Sequence, residues 1–301
     1  MQLRYRSNMF DESIIDRYKV LQNEEKRKTL RIFLLLIIGF FALATPFLVL
    51  YNNGAWAVSL FWSFFGTGLL ILLILGLIMI NFSSDKPMYD YLYPKIIEII
   101  NSETKNNLFY ESGMKKNKWL FSEFELKGGL FIKAAEHITR FILTYDIQGI
   151  QIKVGSCKIF SRGDKGREII HFDGTYFVFY SKNNSYFQLR EKQFGKPRHK
   201  HVKMKSIDTR DDIKEYIVEE GSGYNNIERR YYDLYDFLDQ REGRVYISGV
   251  SGEIHVALDG SMFKFNREIG IKTVSVDKLD EVKQRVLEII NLSEEMVQVI
   301  K

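Results

Sequence analysis

Two long apolar runs lie near the start of the chain, at 32–51 and 55–82, with only Asn52, Asn53 and Gly54 between them. Neither run contains an Asp, Glu, Lys or Arg. About twenty helical residues span the roughly 30 Å hydrocarbon core of a bilayer, so each run is long enough to cross. A turn this short carries no folded material to the far side. The pattern therefore predicts a transmembrane helical hairpin over 32–82, with everything that could bind or catalyse on one face of the membrane. Pro46 is placed to kink the first helix near its outer end. In the second, Ala55, Ser59, Ser63 and Thr67 recur four apart. Such a stripe lets helix backbones approach closely in lipid, within the hairpin first and between protomers second. Neither run holds an ionisable residue, so no ion pathway is expected there.

Upstream, Phe10, Ile14, Tyr18 and Leu21 fall at helical spacing. They predict a short helix leading towards the first span, and residues 1–31 form an N-terminal segment of their own. Downstream, residues 83–301 predict one α+β domain with a mainly antiparallel sheet and flanking helices. Pro94 opens a helix through Ile96, Ile97, Ile99 and Ile100. From Trp119 the texture turns aromatic and β-branched, which favours strands. Segments 140–145, 150–154 and 175–181 read as strands, with Gly149, Gly163, Gly166 and Gly174 marking turns. Segments 213–219 and 227–238 read as helices separated by Gly221-Ser222-Gly223. A meander over 244–248, 253–258 and 261–266 follows, with Asp259-Gly260 as its second turn. An amphipathic helix over 277–292 closes the pattern, with Leu279, Val282, Val286, Ile289 and Ile290 on one side.

Charge orients the hairpin. Lys26, Arg27, Lys28 and Arg31 crowd the entrance of the first run, and Lys86 and Lys95 follow the second, while the turn is uncharged. Positive residues stay on the cytoplasmic side, which places both termini there and the turn outside. The net charge of +5 on 301 residues is too slight and too dispersed for a nucleic-acid binder. Cys157 is the only cysteine, which fits a reducing compartment.

Candidate chemistry is sparse. Gly221-Ser222-Gly223-Tyr224 lacks the third glycine and the lysine of a phosphate loop. His137, His171 and His255 are scattered, and His199 with His201 has no third ligand in view, so no metal and no cofactor is expected. Cys157 has no organised base and reads as an inert buried thiol. Asp211-Asp212 and Glu219-Glu220 read as exposed charge, and Tyr231, Tyr232 and Tyr235 as core. The densest basic stretch, Lys196, Arg198, Lys200, Lys203 and Lys205, is the candidate anion-binding surface, for lipid headgroups, nucleotides or an acidic partner. No catalytic residue is named.

One resemblance rests on three segments: Ile147-Gln-Gly-Ile-Gln-Ile, Phe172-Asp-Gly-Thr-Tyr-Phe-Val-Phe-Tyr, and Gly243-Arg-Val-Tyr-Ile-Ser-Gly-Val-Ser-Gly-Glu-Ile-His-Val-Ala-Leu. After two membrane helices, this order resembles an uncharacterised bacterial family of two-helix membrane proteins with a soluble domain of unknown function. The chain departs from that pattern at Thr175-Tyr176, where leucine and phenylalanine are usual, and at His255, where tyrosine is usual. The resemblance implies no reaction or cofactor, and it implies a LemA-type membrane protein as partner. The expected function is a membrane-anchored binding or scaffolding module in contact with the bilayer and able to form a homo-oligomer. The alternatives are a ligand-gated two-helix effector associating through its membrane helices and, least favoured, a lipid-acting enzyme.

Overall fold

The computed structural model describes residues 12–50, 65–74, 76, 87–104, 106–112, 129–131, 136–163, 166–181, 186–191, 203–207, 210–218, 227–241, 243–260 and 274–301, with 42–50 and 136–138 in backbone only. They fall into two units, Met1–Leu92 with Ile271–Val276, and Tyr93–Gly270 with Asp277–Lys301.

In the first unit, α1 (Glu12–Leu50) runs as one helix from the polar N-terminal segment into the first apolar run. Ile15, Tyr18, Gln22, Thr29 and Phe33 are buried along one stripe, at the three- and four-residue steps that keep a helix face in register. Residues 65–74 are also helical. A Cβ on Gly68 would lie 2.9 Å from the Phe40 ring, and one on Gly76 would collide with the ring of Phe33. Phe65 packs on Phe40 and Phe41, each at 5.2 Å between centroids. Ascending positions on α1 thus meet descending positions on 65–76, the register of an antiparallel helical pair.

Among the described residues, no helix is long and apolar enough to cross a membrane. The transmembrane hairpin expected over 32–82 is therefore not established. Within α1 the side chains are described only to Phe41, so 32–41 supplies about 15 Å of apolar helix, and 65–74 supplies about as much, half a bilayer each. The turn at 52–54 and the positions 51–64 and 77–82 lie outside the described residues.

The second unit is α+β, as expected. Among the described residues, nine strands form one sheet in the order β1-β2-β3-β4-β9-β8-β5-β7-β6. They are β1 (Phe109–Ser112), β2 (Glu136–Ile147), β3 (Ile150–Arg162), β4 (Glu168–Tyr180), β5 (Phe187–Glu191), β6 (Met204–Ile207), β7 (Ile213–Val218), β8 (Arg244–Val250) and β9 (Glu253–Asp259). Every neighbouring pair is antiparallel. The helices are α2 (Tyr93–Glu103), α3 (Arg229–Asp239) and α4 (Val276–Ile300). A π-wound turn, Met88–Leu92, precedes α2. Pro94, just inside α2, has no N–H to donate to the carbonyl four residues back, and a widened turn accommodates that loss.

Register divides the side chains between two faces. Phe141, Tyr145, Ile152, Phe177, Val256, Ile247 and Phe187 share one face across neighbouring strands. All three described helices cover it. Tyr93 of α2 stacks on Phe141 at 5.6 Å, Tyr231 of α3 lies 4.4 Å from Phe187, and Ser293 of α4 hydrogen-bonds the Tyr145 hydroxyl at 2.7 Å. The other face carries Cys157, Ile159, Phe172, Tyr176, Val178, Tyr246 and Ala257, packed with Leu130 and Phe131.

Three local readings are corrected. Residues 213–219 are not a helix: Ile213–Val218 is β7, paired with both β5 and β6. Gly174 marks no turn; it lies within β4, between Cys157 of β3 and Asp259 of β9. Gly260 has φ 159°, extended rather than left-handed, and the strand expected at 261–266 lies outside the described residues. The two-residue turns are Gln148-Gly149 (φ 51° and 81°) and Ser251-Gly252 (φ 39° and 85°), positive at both positions as right-twisted hairpins require. Valine at Gly252 is therefore expected to destabilise the domain by about 1–2 kcal/mol, since a β-branched side chain resists that region. A urea-unfolding midpoint equal to the parent's would show that the turn tolerates the substitution.

Candidate functional site

The face opposite the three described helices holds a buried polar cluster at its centre. Strand alternation places Tyr176 of β4, Glu253 and His255 of β9, Ser248 of β8, and Gln188 and Arg190 of β5 on the same side. His255 Nδ1 lies 3.0 Å from the Tyr176 hydroxyl and Nε2 lies 3.1 Å from Glu253 Oε2. A carboxylate only accepts, so Nε2 carries a proton and donates it to Glu253. In the neutral ring, Nδ1 then accepts from Tyr176. His255, Tyr176 and Ser248 are fully buried.

Arg190 ties a strap over this face. Its Nε donates to Gln188 Oε1 at 3.0 Å, and one terminal nitrogen donates to the carbonyls of Gly129 (3.0 Å) and Leu130 (2.9 Å). Gln188 donates to the Gly129 carbonyl at 3.2 Å. The strap delivers Phe131, whose ring lies 4.9 Å from Phe172 and 5.2 Å, edge-on, from Tyr246. A guanidinium buried this deeply is tolerable because its donors meet carbonyl oxygens.

Ser248, His255 and Glu253 are the residue types of a nucleophile, base and orienting acid, and Ser248 pairs directly across the ladder with His255. The geometry does not assemble them. Both ring nitrogens of His255 are engaged by Tyr176 and Glu253, and Ser248 Oγ has no hydrogen-bond partner among the described residues. An activated serine needs its base within hydrogen-bond reach. The cluster is a buried structural network under a strap.

Two tyrosines on this face are held neutral. Burial pushes the Tyr180 hydroxyl up to about 12 from an ordinary 10.0, with the Glu253 charge adding to the shift. Burial does the same for Tyr246, up to about 12, with Arg244 acting in the opposite direction. A group whose folded pKa is raised contributes stability that is present below its unfolded pKa and is lost as pH rises through the folded one. The urea-unfolding midpoint is therefore expected to hold to about pH 10 and to fall between about pH 10 and 12, with phenolate absorbance from these residues appearing only on unfolding. Phenolate absorbance of the folded chain below about pH 12 that disappears in Tyr180→Phe or Tyr246→Phe would contradict their burial.

The residues singled out in the sequence do not converge. Lys196, Arg198 and Lys200 lie outside the described residues, as do His199, His201 and Gly221-Ser222-Gly223. Lys203 and Lys205 are exposed, at the start of and within β6, an edge strand of the sheet. Ala55, Ser59 and Ser63 lie outside the described residues, and Thr67 is exposed; the close approach to α1 is made at Gly68 and Gly76. Cys157 is buried in β3. His171 bonds Ser161 at 2.8 Å. Asp212 is exposed and held below the usual carboxylate range by its hydrogen bonds from Arg210, which also reaches Asp236 at 2.6 Å. Tyr231 and Tyr235 are core, while Tyr232 donates to Glu215 at 3.2 Å. No cluster of His, Cys, Asp or Glu among the described residues could hold a metal ion. Sequence reasoning missed the Tyr176–His255–Glu253 chain and the Arg190 clamp.

No protein-family model matches this chain, and no curated protein sequence does. Among solved structures, the chain is similar to the mycobacterial trehalose monomycolate transport factor A, TtfA. That likeness covers 69% of this chain and 95% of that one, at 13% identity and a TM-score of 0.33.

Proposed function

We propose that this protein is a non-catalytic binding or scaffolding module, anchored in a bacterial inner membrane by the helical pair of its first unit, with both termini cytoplasmic. The supporting observation is the surface of that pair. Leu34, Leu35, Leu36 and Ile38 on α1, and Leu70, Ile71, Leu73 and Ile74 opposite, are 44–67% exposed. A protein in water rarely presents large aliphatic side chains so densely on two adjacent helices, whereas lipid solvates them without cost. The uncharged runs at 32–51 and 55–82, entered past Lys26, Arg27, Lys28 and Arg31, support the same reading.

The second unit is the module. His255 and Glu253 are buried and bonded to each other, and buried Ser248 has no base within hydrogen-bond reach, which favours recognition at the surface over chemistry in a cleft. Exposed Lys203 and Lys205 on the β6 edge are the contact assigned to an anionic partner, in line with the 196–205 basic stretch.

Fractionation of cells expressing the full chain tests the anchor. The expected result is a protein that stays in the membrane pellet through alkaline carbonate washing and is released by detergent. Recovery in the carbonate supernatant would refute it. A periplasm-active reporter fused after Lys301 is expected to be silent, and one inserted at Asn53 active.

A further inference from the structure

Along one side of α1, charge gives way to aliphatic surface within a single column of side chains. Arg27, Leu30, Arg31, Leu34, Leu35 and Ile38 follow one another at the short steps that keep one face of a helix in line. That face lies opposite the buried stripe of Ile15, Tyr18, Gln22, Thr29 and Phe33, and every member of it is exposed. Arg27 and Arg31 stand one turn apart, about 6 Å along the axis, and Ile38 lies about 10 Å further on.

The two arginines are not neutralised within the helix. Glu25 accepts a hydrogen bond from Lys28 at 2.8 Å, and Glu24 acts on the same ammonium. Lys19 lies 3.8 Å from Asp16. Among the described residues, no ion pair or hydrogen bond takes Arg27 or Arg31. Like charges one turn apart repel each other on a helix, so the pair favours an anion between them. The turns that follow select the kind of anion. In a bilayer, Leu34, Leu35 and Ile38 are covered by acyl chains, which brings headgroups to the level of the arginines. Guanidinium groups grip phosphate oxygens in pairs, and a phospholipid carries its phosphate and its acyl chain in the same order as this column.

We propose that Arg27 and Arg31 form a headgroup site for an anionic phospholipid, holding its phosphate between two guanidinium forks while an acyl chain lies on Leu34, Leu35 and Ile38. The site rests on the anchor reading above and adds to it a choice of lipid. Its test uses the full chain reconstituted in phosphatidylcholine vesicles with a trace of phosphatidylglycerol or phosphatidylcholine spin-labelled on the acyl chain. The motionally restricted fraction of each label reports which lipid the protein holds. Phosphatidylcholine carries the same phosphate with a cation beside it, which the arginines repel.

The parent is expected to restrict phosphatidylglycerol severalfold more than phosphatidylcholine. Arg27→Gln/Arg31→Gln is expected to bring the ratio towards unity, and exposed, unpaired side chains can be replaced without loss of the fold. Lys26→Gln/Lys28→Gln removes the same charge and is expected to keep the preference, since Glu25 already holds Lys28 and Lys26 is half-buried. Arg27→Lys/Arg31→Lys keeps the charge, and with it the orientation of the hairpin, but is expected to lose about half of the preference because an ammonium offers no fork. Equal losses in the two glutamine variants would trace the preference to net charge and overturn the site. An undiminished preference in the lysine variant overturns the paired grip. Release of the restricted phosphatidylglycerol by millimolar glycerophosphate would give the arginines to a free phosphate and overturn the lipid assignment. A parent without preference, in chains that float with the vesicles, overturns the site and leaves the anchor standing. Chains that fail to float overturn the anchor, and the site with it.

Discussion

Alanine at Gly174 is expected to lower the unfolding free energy of the sheet domain by about 3 kcal/mol, the upper part of the range for a substitution that forces backbone apart. Gly174 lies inside β4 with β3 on one side and β9 on the other. A Cβ there would fall inside the van der Waals envelope of the Leu258 carbonyl oxygen, 3.0 Å from its carbon and 3.1 Å from Asp259 Cα. These are backbone atoms held by ladders on both sides, so they cannot swing away as a side-chain tip would. Relief requires β4 and β9 to separate where β9 ends, beside the Arg244–Asp259 ion pair. Gly163→Ala is the control. Its Cβ would meet the Ile169 Cδ1 atom at 2.9 Å, the far end of a half-exposed side chain, so the expected cost is below about 1 kcal/mol. Urea unfolding of the full chain in detergent checks both. Equal midpoints for the two variants would mean that β9 yields at Gly174 without loss.

The same residue shows where sequence reading stops. Gly149 and Gly174 look alike in one dimension, each a glycine beside a polar residue within apolar sequence. One supplies a left-handed turn; the other lets two backbones approach. Only the β4–β9 pairing separates the two roles, and that pairing joins segments about eighty residues apart. The β7 strand was misread for a related reason. Ile213, Tyr216 and Ile217 fall at helical spacing, while the strand alternation of Ile213, Glu215 and Ile217 is broken by an acid that the fold nevertheless buries. A strand buried on both faces loses the period of two that would identify it.

Longer amphipathic patterns were legible. The apolar stripe predicts α4 as far as Leu292, and its buried positions continue through Met296, Val297 and Ile300 at the same spacing. The turn at Gly149 is legible in sequence, where Gln148-Gly149 stands between Ile147 and Ile150. At Asp259-Gly260 the same rule misled, because Asp259 is still paired with Gly174 and Arg244. The polar network was beyond reach. Tyr176 meets His255 only because β4 and β9 share a register, and Arg190 clamps a strap that lies about sixty residues earlier in the chain. Fold class follows from composition and period, which are local; a buried network follows from register, which is not.

Lys283→Met is expected to destabilise the domain by about 2–4 kcal/mol, and Glu103→Leu by a similar amount, whereas the double replacement should fall within about 1 kcal/mol of the parent. Lys283 on α4 reaches back to Glu103 at the end of α2, and their side chains are only 9% and 13% exposed. Two charges this far out of water are tolerated because each neutralises the other. Removing one strands its partner in a site that water reaches poorly, and that penalty exceeds the worth of the pair itself. Methionine keeps the length of the lysine stem, so the single variant loses charge rather than packing. The double variant replaces an ion pair by apolar contact between two helices that already share a buried face of the sheet. The comparison is a double-mutant cycle read from urea midpoints, and these losses imply a coupling of about 3 kcal/mol or more, as for groups in direct contact. Additive losses across the cycle would show that the two residues stabilise their helices separately, and that α2 and α4 are joined through Tyr93, Phe141 and the apolar stripe of α4 alone.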